Sequence, residues 1–280
     1  MIIVGVDGSR TGLDAAGWAA TEAALRHVPL TVAHAVPKWV CEETGGHYPE
    51  IGRWMRGGAQ SVLVSARDRA LRERPGVVVE TVLLPGDPRS ALVKASENAE
   101  LLVVGSRGVG GVRGLLVGSV AYGVAAHALT DVVLVRARPS TPRGEIVVGV
   151  DGSPGGVRAL DFAFAEAELR SANLHVVHAW AWPHPSGFEP ADRGRAGDRS
   201  RELDELLAGH RERRPGVEVV AEIVHGHPIE VLREAAAGAD LLVVGTHGRS
   251  QFAGMLMGSI SQAMLHHAPC PLAVIRRSRA

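Results

Sequence analysis

The stretch AELLVVGSRGVGGVRGLLVGS, residues 99–119, sets a short apolar run, Leu101 to Val104, against a loop with glycines at 105, 108, 110, 111, 114 and 118. The chain repeats the phrase at residues 239–259 as ADLLVVGTHGRSQFAGMLMGS. Other pairs follow. IIVGVDGSRTG at 2–12 returns as IVVGVDGSPGG at 146–156, LTVAHA at 30–35 as LHVVHA at 174–179, and LPGDPRSAL at 84–92 as VHGHPIEVL at 224–232. The offset is 144 residues early in the repeat and 140 later, so the first copy carries four more residues between Ala35 and Gly86. Self-similarity on this scale reads as a tandem duplication. RPSTPRG at 138–144 has two prolines and no periodicity and reads as a connection. The expected division is a domain over 1–138, a linker over 139–144 and a second domain over 145–280.

Within each copy, strand and helix signals alternate. IIVGV is a buried strand, and Leu13, Ala16, Ala20 and Ala23 then recur at helical spacing, matched by Val157, Leu160, Phe164 and Ala167 in the second copy. A strand at LTVAHAV, a variable loop and a helix through Val62, Leu63, Ala66 and Ala70 come next. VVVETVLL predicts a third strand, and Pro88 suits the first turn of the helix after it. LLVVG, SVAYGVAAHAL and VVLVRA supply the fourth strand, the fourth helix and the fifth strand. Strands apolar on both faces and separated by helices predict a parallel sheet covered on both sides, with right-handed crossovers. The expectation is an α/β chain of two doubly wound domains, each of five parallel strands.

Composition narrows the function. The 280 residues suit two domains, and Lys plus Arg equals Asp plus Glu at 30 each, so no overall charge draws the chain to nucleic acid or an anionic membrane. No apolar run is long enough for a membrane span, and MIIVGVD opens a strand with no leader pattern. Cys41 and Cys270 sit at unrelated places, which reads as free thiols in a cytoplasmic protein.

Ligands of doubly wound sheets bind beyond the carboxyl ends of the strands, where the strand order reverses. Both glycine loops leave the end of strand four, spaced Gly105-x2-Gly108-x9-Gly118-Ser119 and Gly245-x2-Gly248-x9-Gly258-Ser259. Gly110, Gly111 and Gly114 fall inside the nine variable positions. Each Gly-Ser precedes a helix, whose unpaired N–H groups and positive dipole end favour phosphate. A Walker A loop is excluded, because the only lysines, Lys38 and Lys94, lie far from both loops. A dinucleotide fingerprint is excluded too, because the turn after strand one carries the acidic Asp7. A carboxylate there can accept from a base amine or a ribose hydroxyl. The site therefore reads as split, with Asp7 on the nucleoside side and the glycine loop on the phosphates.

The G-x2-G-x9-G-S spacing, the V-D-G-S end of strand one and the VAHA/VVHA of strand two resemble the universal stress protein family. The likeness covers nearly the whole chain and is to the tandem-domain actinobacterial form. It implies a 3-2-1-4-5 strand order, ATP (with or without Mg2+) in each domain, and a nucleotide-dependent regulator of stress response or dormancy. Transferred by motif position, it implies that Asp7 and Asp151 contact adenine and that Ala35 and Ala179 meet the base through their backbone. Gly105 and Gly245 would lie against ribose. Gly108, Gly118, Ser119 and the Val120 amide would hold phosphates, as would Gly248, Gly258, Ser259 and the Ile260 amide. The first copy departs from the family pattern at strand five, where Thr130-Asp131-Val132 replaces the Cys-Pro-Leu kept at 270–272. The resemblance also implies a homodimer through the fifth-strand edges, and strand edges are open to pairing in general.

Other candidates compete. His175 and His178 are three apart on a strand and face opposite sides, while His225 and His227 have no counterpart in the first copy, so a metal site is not expected. His34 and His178 read as structural contacts beside the crevice. Trp39, Trp180 and Trp182 either cover the base or pack the loop after strand two. Arg107 and Arg113 in one loop, and His247 and Arg249 in the other, are within a loop's reach of phosphates. An ATP-consuming enzyme of the same superfold, or a slow ATPase, stays open as an alternative, although neither an SGG-x-DS loop nor HIGH- or KMSKS-like motifs occur. A nucleotide-free scaffold is the third reading, opposed by the Asp, three glycines and Ser kept in both copies.

Overall fold

The computed structural model describes residues 1–42, 48–109, 117–136, 142–180, 193–248 and 256–276. The chain divides into two compact units, Met1–Arg138 and Pro139–Ala280. Arg113, Arg249 and Trp182 lie outside the described residues, as does part of the connection between the units.

The first unit runs β1 (Ile2–Gly5), α1 (Arg10–Arg26), β2 (Leu30–Val36), α2 (Lys38–Cys41), α3 (Pro49–Glu73), β3 (Val79–Pro85), α4 (Pro88–Ala95), β4 (Leu101–Gly105), α5 (Ser119–His127) and β5 (Asp131–Val135). All pairings are parallel, in the order β3-β2-β1-β4-β5. Helices α1 and α3 pack together on one face, and α4 and α5 on the other. The alternating strand and helix signals predict this doubly wound layering, and the strand order is the one that the resemblance implies.

The chemistry of the segments explains the elements. Ile2, Val4, Leu101, Leu102 and Val103 are fully or almost fully buried, as central strands covered on both faces must be. Helix α1 starts where the Ser9 side chain accepts from the Gly12 N–H, and ends at His27 in the left-handed conformation. It is rich in alanine and glycine because it is squeezed between the sheet and α3. Its buried face takes in Ala15 and Ala19 beside the expected Ala16, Ala20 and Ala23, while Leu13 is half-buried. The short α2 has no counterpart in the sequence expectations; its Val40 is buried with Val36 and Ala59.

The second unit repeats the plan: β6 (Glu145–Gly149), α6 (Pro154–Arg170), β7 (Asn173–Trp180), α7 (Arg193–Arg213), β8 (Val219–His225), α8 (Pro228–Ala235), β9 (Leu241–Gly245), α9 (Ser259–His267) and β10 (Leu272–Ile275). Its parallel order is β8-β7-β6-β9-β10. The departure at strand five resolves simply. Val132 faces Leu102 as Leu272 faces Leu242, so the register is identical. The strand begins one residue earlier in the first unit because Asp131 has an N–H for the ladder and Pro271 has none.

Candidate functional site

In each unit, the ends of the first, second and fourth strands and the start of the last helix open onto one cavity. The first cavity, of about 410 Å³, is lined by Asp7, Ala35, Gly105, Gly108, Gly118, Ser119 and Val120, together with Arg107 and His34. The second, of about 280 Å³, is lined by Asp151, Ala179, Gly245, Gly248, Gly258, Ser259 and Ile260, with His247. All fourteen residues singled out by spacing and resemblance therefore gather at two equivalent places, though in sequence each set spans more than 100 positions.

The helix starts carry the electrostatics. α1, α4 and α6 are capped by the side chains of Ser9, Asp87 and Ser153. In contrast, α5 and α9 begin at Gly118 and Gly258, which have no side chain to give, and neither has a side-chain cap. The first residues of these two helices, Ser119 and Val120 and Ser259 and Ile260, line the cavities at the positive end of the helix dipole, where the first N–H groups of a helix have no partner within the helix. The loop is held to the strand side at its base. Gly118 N–H donates to the Ser106 carbonyl at 2.8 Å and Gly258 N–H to that of Thr246 at 2.7 Å.

Each motif glycine has its own steric reason. A Cβ on Gly105 would lie 2.8–2.9 Å from the backbone of Thr11 and Gly12, and one on Gly245 would lie 2.7 Å from the Gly155 carbonyl oxygen. These glycines let the first helix of the unit approach the end of the fourth strand. A Cβ on Gly108 would sit 2.5 Å from Asp7 Oδ2, and one on Gly248 the same distance from Asp151 Oδ2. Around Gly118 the nearest atoms are 3.6 Å from such a Cβ, an ordinary contact. The missing side chain there instead leaves the helix start uncapped.

A family model described as the universal stress protein family matches residues 1–136 and 143–276. The chain belongs to the universal stress protein family. Two family proteins of Mycobacterium tuberculosis span it almost end to end: universal stress protein Rv2005c is 36% identical, covering 99% of this chain and 97% of its own, and universal stress protein Rv2623 is 35% identical, covering 99% and 96%. The crystal structure of a universal stress protein from Archaeoglobus fulgidus has the same fold over 99% of this chain and 98% of its own, with a TM-score of 0.72 at 20% identity.

Several universal stress protein positions that spacing could not single out also form the site. Leu92 of α4 and Leu232 of α8 line the cavities and pack on Gly5 and Gly149, where a Cβ would lie 2.7 Å and 3.0 Å from their side chains. The regular placement of Pro88 and Pro228 four residues earlier is the one sequence signal for them. His34 donates through Nδ1 to the Val6 carbonyl at 2.7 Å, a structural contact at the cavity wall. Trp39 packs against Val36, Val40 and Ala59. Trp180 stacks edge-on with His225 at 4.6 Å and carries Arg199 over its ring. Neither tryptophan is among the residues that line these two cavities. Among the described residues, no group of three or more His, Cys, Asp or Glu is arranged to hold a metal ion, and no helix is long and apolar enough to cross a membrane. Both cysteines are free thiols, Cys41 exposed and Cys270 buried.

Proposed function

We propose that each domain binds one ATP and that nucleotide occupancy makes the protein a regulator in stress response or dormancy. The observation that carries the reading is the duplicated uncapped helix start, Gly118-Ser119 and Gly258-Ser259, opening onto a cavity at the strand-order reversal. Volumes of about 410 and 280 Å³ fall near the lower end of the range for small-molecule sites, which suits one nucleotide whose phosphates extend into the loop. The Ser119 and Ser259 hydroxyls and the amides of Val120 and Ile260 supply donors to the phosphates. Ala35 and Ala179 present backbone to the base, Gly105 and Gly245 flank the ribose, and Asp7 and Asp151, which the resemblance assigns to adenine, line the same cavities. A bound Mg2+ would be held mainly by the phosphates, as this ion commonly is. Self-association through the fifth strands, in the cytoplasm, completes the proposal.

The test is to denature the purified protein, then identify and count the released nucleotide, with titration of nucleotide-free protein beside it. Two ATP per chain is the expected result. No nucleotide in the preparation and no binding on titration would refute the reading. Light scattering of the same sample reads the oligomeric state.

A further inference from the structure

We propose that Asp7 and Asp151 are positioning residues for the phosphate loop, their carboxylates bracing the loop backbone opposite the helix start. The inference rests on the nucleotide reading above and deepens it, since the role lies in loop geometry and not in contact with the base.

Asp7 follows β1 and holds two backbone N–H groups from distant parts of the chain. Oδ1 accepts from Ser9 N–H at 3.0 Å, which locks the carboxylate onto the turn into α1. Oδ2 accepts from Val109 N–H at 2.9 Å, 102 positions away and immediately after Gly108. In the second unit, Asp151 Oδ1 accepts from Ser153 N–H at 3.0 Å and its hydroxyl at 2.6 Å, and Oδ2 again lies against Gly248. Any side chain at 108 or 248 would displace the carboxylate, so the acid and the motif glycine form one device. One other tie of the loop differs between the units. Thr11 Oγ1 donates to the Arg107 carbonyl at 2.5 Å. Gly155 stands in its place, where a Cβ would lie 2.5 Å from the His247 carbonyl oxygen. The aspartate–glycine contact is common to both, as are the Ser9 and Ser153 hydroxyls donating to the Arg107 and His247 carbonyls at 3.5 Å. A carboxylate beside an anion site is a liability unless its charge is taken up by donors, and here backbone N–H groups take it up. The brace holds the loop in place before the ligand arrives, which lowers the ordering cost of binding.

The test uses the full chain with Asp7→Asn and Asp151→Asn together. The amide matches the carboxylate in shape, yet whichever way it sits at position 7, either Ser9 N–H or Val109 N–H loses its acceptor. Binding of ATP, sodium tripolyphosphate and adenosine is measured by calorimetry, and amide exchange at Val109 by mass spectrometry without ligand. The brace predicts that ATP and tripolyphosphate both weaken by about tenfold or more, that adenosine is unchanged, and that Val109 exchanges faster. If ATP and adenosine weaken while tripolyphosphate and Val109 exchange hold, the aspartates act on the nucleoside and the proposal falls. A uniform loss for all three ligands with a collapsed melting temperature marks a merely structural role and overturns it too. A wild-type chain that binds none of the ligands would refute the nucleotide reading instead. The brace is then decided by Val109 exchange alone, and unchanged exchange would overturn it.

Discussion

At the scale of single residues, the three glycines of each motif do three different jobs. Gly105 spares a collision with the Thr11 and Gly12 backbone, Gly108 leaves room for the Asp7 carboxylate, and Gly118 leaves a helix start uncapped. Spacing identifies all three as a set, but it cannot tell these roles apart, because each depends on atoms roughly 10 to 100 positions away. The sharpest expectation concerns the middle glycine. Gly108→Ala places a methyl group 2.5 Å from Asp7 Oδ2 and Gly248→Ala does the same at Asp151, so each substitution should abolish ATP binding at its own site and leave the other occupied. Counting bound nucleotide in each variant checks this, with one ATP per chain expected. A variant that emptied both sites would show that the pockets are coupled.

At the scale of elements, the units share a frame but differ where helices pack. α7 lies against α6 through His210, which is only 4% exposed, stacks on Phe164 at 5.1 Å and places Nδ1 3.2 Å from Asp161 Oδ1. At the matching place in α3 the first unit has Ala70. Burial pushes the His210 pKa below its ordinary value of 6.5, with Asp161 opposing the shift and Arg213 and Arg214 adding to it. The unfolded chain therefore binds a proton more readily than the folded one. The stability from the neutral ring is present above pH 6.5 and is lost as the pH falls toward the lowered folded value. Urea unfolding of the second domain should shift to lower midpoints on acidification below about pH 6.5, and His210→Leu should flatten that dependence. An unaltered slope in the variant would assign the pH response to other groups. Helix type and order were readable at this scale from periodicity. The four-residue α2 was not, because one turn carries no periodic signal and forms here by burying Val40.

At the scale of the whole molecule, duplication has kept the site and varied its chemistry. Arg107 lines the first cavity where His247 lines the second, and Ala33 lines the first where the bulkier Val177 lines the second. These changes accompany the difference between about 410 and 280 Å³. Unequal ATP affinities follow, with the Arg107 site losing more affinity as salt rises, because screening weakens a fixed charge at a polyphosphate. Titrating the Gly108→Ala and Gly248→Ala chains at several salt concentrations isolates each site. Equal affinities and equal slopes would remove the argument.

The sequence by itself determined the duplication, the α/β alternation, the parallel five-stranded sheets and the aspartate, glycine and serine positions of each crevice. These follow from periodicity, burial and spacing, which are local or repeated properties of the chain. Only the tertiary structure decided which atoms each of those residues meets. The Asp7 carboxylate finds the Val109 amide, Leu92 packs over Gly5, and Trp39 packs against Val36, Val40 and Ala59. Such contacts join segments far apart in the chain, and they are set by how closely a helix and a strand can approach, a distance that no pattern of residue types records.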